Sequence, residues 1–151
     1  MKLAQALIER KAIKTKMEEL KKRIYQNAKI QEGDSSIESP LDLMDELDGE
    51  IKEYTKLITR INKTNNVTQI DANLSMMEAI IQKDMLHLKY LVYQNLADKA
   101  VIKEDRYSRR EIKYVPNVNV ATVRQKLNAV AKEYRELDMK IQECNWKTEL
   151  I

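Results

Sequence analysis

From Val120 to Trp146 the apolar side chains fall at Val120, Val123, Leu127, Val130, Tyr134, Leu137, Ile141 and Cys144. The steps alternate three and four without a slip. That is the period of a helix burying one narrow seam against partner helices. Between the seam positions stand Lys, Arg, Glu and Gln, with Glu136–Lys140 and Glu143–Lys147 spaced to pair one turn apart. Such a seam is not stable alone in water, so the upstream chain has to supply its partners.

Three earlier stretches carry the same alternation. The first helix is expected from Lys2 to about Gln31, with Leu3, Ala6, Arg10, Ile13, Met17, Leu20, Ile24 and Asn27 on its seam and Gly33 just past its end. Ser39-Pro40-Leu41-Asp42 starts the second, with a serine cap, proline at the first helical position and a carboxylate in the first turn. Its seam runs through Met44, Leu47, Ile51, Tyr54, Ile58 and Ile61, widened by Leu43 and Leu57, and fades at Asn65-Asn66. After a loop at Val67–Asn73, Ser75 and Glu78 form a capping box that opens the third helix, which reaches about Lys103. Met77, Ile80, Ile81, Met85, Leu88, Leu91, Val92 and Leu96 give it the broadest apolar face of the four.

Between the third and fourth helices the period changes. Ile112, Tyr114, Pro116, Val118 and Val120 alternate with Lys113, Val115, Asn117 and Asn119. Period two predicts a strand-like connection over 105–119, confined to an edge by Pro116. The expected fold is all-α: an antiparallel four-helix bundle of long coiled-coil-like helices, with this connection before the last one and a single domain over 1–151.

Composition narrows the function more than it names it. With 43% apolar and 34% charged residues, two Gly and two Pro, the chain is expected to form long helices with solvated outer faces. The net charge is only +3 across 27 basic and 24 acidic residues, so no global field demands nucleic acid. One cysteine, Cys144, precludes a disulfide within the chain. Neither a signal-peptide core nor an apolar run of membrane-spanning length is present, and a cytoplasmic location is expected.

Several constellations invite chemistry. Arg10 and Asp84 each lie about eight residues into a helix, and an up-down-up-down bundle would bring them into one buried polar layer with His87 one turn on. Asp84-x-x-His87 resembles half a di-iron motif, but a single histidine cannot complete that site, so no metal or other cofactor is expected. Glu50-x-x-Glu53 and Glu133-x-x-Glu136 match half the magnesium motif of all-helical nucleotide pyrophosphohydrolases, and no Glu-x-x-Asp follows at a suitable distance. No phosphate loop or nucleophile elbow is present, and an enzyme is not expected. Arg106, Arg109, Arg110 and Lys113, interleaved with Tyr107 and Tyr114, could grip phosphates and stack bases, which makes nucleic-acid or phosphate binding the alternative function. Ile112, Tyr114, Val118 and Trp146 are the candidate contacts of a homo-oligomer.

Five stretches carry a family resemblance: Ala6–Lys11 (ALIERK), Asn27–Asp34 (NAKIQEGD), Leu57–Asn65 (LITRINKTN), Ser108–Val120 (SRREIKYVPNVNV) and Tyr134–Trp146 (YRELDMKIQECNW). Together they resemble the small bacterial septicolysin family, over nearly the whole chain. The resemblance implies an all-helical bundle that self-associates, and the family's name implies a cytolysin. It brings no catalytic residues. The mixed-charge helix faces do not suit membrane insertion. The sequence thus points to a cytoplasmic, non-enzymatic, self-assembling protein.

Overall fold

The computed structural model of the protein describes residues 1–102 and 112–151. They divide into two units, residues 1–68 with 143–151, and the described part of 69–142. The chain is all-α, as expected: the described residues form four long helices and one very short hairpin.

In the first unit, α1 (Leu3–Gln26) and α2 (Pro40–Val67) pack against each other. Lys16 pairs with Glu46 and Glu50 at 3.3 and 2.6 Å, and Arg23 grips Glu38 with two guanidinium nitrogens. The partner number falls as the α1 number rises, so the two helices are antiparallel. Helix α1 stops earlier than its periodicity suggested. The Asn27 amide folds back to donate to the Arg23 carbonyl at 2.8 Å, which closes the last turn there. Gly33, with φ at 91°, serves the following turn instead of the helix end.

Helix α2 starts as its sequence dictates, with Ser39 Oγ accepting from the Asp42 N–H and Pro40 at the first helical position. Its inner seam is rotated slightly from the expected one. Leu43, Leu57, Ile61 and Thr64 are buried, whereas Met44 and Ile51 lie exposed. The C-terminal residues seal this unit. The Leu3 N–H donates to the Thr148 carbonyl at 2.9 Å and the Leu150 N–H to the Met1 carbonyl at 2.8 Å. Buried Thr64 accepts from the Ile151 N–H at 3.1 Å and donates to the Arg60 carbonyl at 2.9 Å, so its hydroxyl is fully satisfied.

In the second unit, β1 (Gln69–Asp71) and β2 (Leu74–Ser75) pair antiparallel where a plain loop was expected. Asp71 tightens the turn by accepting from the Asn73 N–H at 3.0 Å. Ser75 and Glu78 form the expected capping box, and α3 runs from Met76 to Ala100. Helix α4 spans Val120–Lys147, its last turn belonging to the first unit. Every position of its expected seam is buried or half-buried. Lys83 and His87 of α3 meet Asp138 and Tyr134 of α4, so this pair too is antiparallel.

The strand expected over 105–119 is corrected for the part described. Residues 112–119 form no strand. Alternation supplies only the pleat, whereas a strand also needs a ladder partner, and Pro116 lacks the N–H to make one.

Candidate functional site

Helix α3 has two faces, and the more apolar one is outside. Toward the interior of its unit it turns Met76, Ala79, Lys83, Leu86, Tyr90, Tyr93 and Ala97, all buried or half-buried. Met77, Ile81, Met85, Leu88, Leu91, Val92 and Leu96 lie on the other side, each between 42% and 56% exposed. The sequence-expected core face of α3 is therefore its solvent face, with only Ile80 half-buried. The stripe spans about 29 Å at about 1.5 Å per residue and is roughly one helix wide. Its area is on the order of 600 Å², at the upper end of the range in which a protein's largest apolar patch is often functional.

The covered face of α3 is held by polar contacts. Lys83 pairs with Asp138 at 3.0 Å, and Gln142 also donates to that carboxylate at 3.3 Å. The bond from Lys83 holds the Asp138 carboxyl below the usual carboxylate range. The Lys83 ammonium lies 6.0 Å from the centre of the Tyr134 ring, which in turn sits 5.9 Å from His87. These groups knit α3 to α4. The stripe's last residue, Leu96, also lines an open cavity of about 500 Å³ with Ala100, Val101, Tyr114, Pro116 and Val118. The apolar surface of α3 thus continues onto the segment before α4.

The residues singled out in the sequence distribute unevenly. Arg10, Asp84 and His87 are all exposed, so they form no buried polar layer; Arg10 occupies a seam position where the helix surface is open to water. Ile112, Tyr114 and Trp146 are exposed and Val118 is half-buried. Lys113 is exposed, while Arg106, Arg109 and Arg110 lie outside the described residues. Three of the four half-motif glutamates are engaged: Glu50 with Lys16 at 2.6 Å, Glu53 with Lys56 at 2.7 Å, Glu136 with Lys132 at 3.8 Å. Among the described residues no group of three or more His, Cys, Asp or Glu is placed to hold a metal ion. No described helix is long and apolar enough to cross a membrane. Sequence reasoning found the stripe residues but assigned them to the core. The missed signal was a second apolar set, Met76, Ala79, Leu86, Tyr90 and Ala97, on the opposite side of the same helix.

Residues 10–150 match the model of a family of unknown function, DUF6847. A crystal structure of a functionally unknown conserved protein from Corynebacterium diphtheriae is 40% identical and superposes with a TM-score of 0.91, covering 100% of this chain and 99% of that one. No curated protein matches the sequence. Neither the matching family nor the solved relative is described as a cytolysin, so nothing in them supports the septicolysin resemblance. The match over nearly the whole chain shows that the protein belongs to this family of unknown function.

Proposed function

We propose that the protein is a non-enzymatic, self-assembling helical module whose subunit contact is the outward face of α3. The observation that carries this is the continuous run of half-exposed Met77, Ile81, Met85, Leu88, Val92 and Leu96. These side chains sit on a regular helix whose other face is already occupied, so the chain's own α3–α4 packing leaves them in contact with water. Completing their burial gains the free energy of removing apolar surface from water, and a second subunit is the simplest source of that cover. Exposed Tyr114, expected from the sequence to contact a second subunit, shares a cavity with Leu96 and extends this surface beyond it.

Replacing Leu88 with glutamate places a charge at the middle of the stripe, where association would have to desolvate it. The variant is expected to keep its helical circular dichroism and to elute as a monomer, whereas the parent chain elutes as a multimer. A parent chain that is monomeric at high micromolar concentration would overturn the proposal.

A further inference from the structure

The exposed face of α3 carries enough pattern to say how it meets a second copy of itself. Its middle is Ile81, Met85, Leu88 and Val92, at the three-four spacing of a coiled-coil seam. One flank of that seam holds Met77, Asp84 and Leu91; the other holds Gln82, Lys89 and Leu96. All of these residues are exposed. Glu78 and Lys99 occupy the seam positions at its two ends and bound it. The Glu78 carboxylate is already committed to the capping box, where it accepts from Ser75 at 2.7 and 2.9 Å.

Two symmetric arrangements can bury this seam. Antiparallel packing pairs Ile81 with Val92 and Met85 with Leu88, since the seam has the same spacing in either direction. In that arrangement each flank meets the same flank of the other copy, so Asp84 faces Leu91 and Lys89 faces Gln82. Parallel packing brings opposite flanks together, five residues apart in number. Asp84 then meets the partner's Lys89, Leu91 meets the partner's Leu96, and Met77 meets the partner's Gln82. The two-fold axis makes each of these contacts twice. Asn95, the next seam position, meets its own mate, an amide pair that resists slippage of the register. Among the described residues Asp84 makes no ion pair, and Lys89 lies 5.7 Å from the centre of the Tyr93 ring. Both charges are therefore available to the partner.

Resting on the self-assembly reading, we infer that two copies of α3 pack parallel and in register, with reciprocal Asp84–Lys89 pairs flanking an Ile81–Met85–Leu88–Val92 seam. The Asp84–Lys89 pairs at the middle of the seam select the parallel orientation because the apolar residues fit both ways; the like-charged Glu78 and Lys99 mates fall at its two ends, outside the apolar run.

Disulfide trapping tests this in the full chain with Cys144→Ser as background. Ile81→Cys and Val92→Cys, each alone, are expected to form covalent dimers under mild oxidation, because each residue faces its own mate. In the antiparallel arrangement the two copies of either residue lie about 16 Å apart along the axis, eleven residues at about 1.5 Å each. Neither variant would then cross-link alone, but a mixture of the two would, and that result overturns the parallel register while leaving self-assembly intact. A multimer in which neither the single variants nor the mixture cross-link overturns the α3 interface itself. A monomer overturns the underlying proposal. Charge exchange gives a second readout. Asp84→Lys is expected to weaken association about tenfold by replacing two attractions with two repulsions, and adding Lys89→Asp should restore it. Failure of the double exchange to restore association would contradict the Asp84–Lys89 pairing.

Discussion

The α1–α2 pair and the α3–α4 pair are built from similar long antiparallel helices, yet they divide their apolar residues differently. In the first, Leu3, Leu20, Leu57 and Ile61 are buried, and the C-terminal residues clamp the helix ends through Thr64, Met1 and Leu3. In the second, α3 buries Met76, Ala79 and Ala97 and half-buries Lys83, Leu86, Tyr90 and Tyr93, while most of its large aliphatic side chains face outward. The first pair is closed by its own residues; the second presents a face that the described residues of its unit leave exposed. Apolar content alone does not separate the two. What separates them is whether each face finds cover in cis.

The contrast can be broken most sharply by truncation in each region. Ile61→Ala removes a side chain only 1% exposed and should cost about 2–4 kcal/mol, read as a lower denaturation midpoint. Leu88→Ala, made in a chain held monomeric by Ile81→Glu, should cost under about 0.5 kcal/mol, because in the monomer Leu88 packs against little. Equal losses at the two positions would mean that the outward face of α3 is covered within the chain.

A smaller effect is expected at the start of α3. Ser75→Ala removes the hydroxyl that caps the Glu78 N–H and should cost about 1 kcal/mol in thermal unfolding. Glu78 itself is held below the usual carboxylate range by its bonds from the Ser75 hydroxyl and N–H. Acid should therefore loosen the cap in the parent, and less so in the Ser75→Ala variant, which keeps only the bond from the backbone N–H to Glu78.

The Lys83–Asp138 contact gives a pH signature for the α3–α4 pair. Asp138 binds its proton less tightly in the fold than in the unfolded chain, where its value is about 3.9. Its contribution is complete above that value and is lost as pH falls through the lower folded value. Lys83→Met should therefore flatten part of the acid limb of the melting temperature against pH. An unchanged limb would mean that the pair does not persist in solution. The smallest effect is expected on the exposed surface, where Lys147→Ala breaks only an exposed pair with Glu143 and should leave the melting temperature unchanged.

Much of this architecture is legible in the sequence because it rests on local chemistry. The seam of α4 from Val120, the Ser39-Pro40 start and the Ser75/Glu78 capping box all depend on residues within a turn or two of one another. The end of α1 at Gln26 was harder, since helical periodicity continues to Asn27 while that residue's amide closes the turn. Periodicity identified the aliphatic stripe of α3 but could not assign it a side. It reports that apolar residues recur, and α3 has two recurring sets, of which the smaller and more polar packs against α4. The segment 112–119 fails as a strand for a related reason: pairing is a property of two segments, and its sequence describes one. The candidate site was therefore visible residue by residue, and its exposure was not.

The most direct test of the central claim is the molar mass of the unmodified chain by light scattering across a dilution series from high micromolar to nanomolar concentration. A mass of at least twice 17.7 kDa that falls to one chain on dilution, and stays at one chain in Leu88→Glu at every concentration, is the predicted result. A constant mass of one chain throughout, or an assembly indifferent to Leu88→Glu, would contradict it.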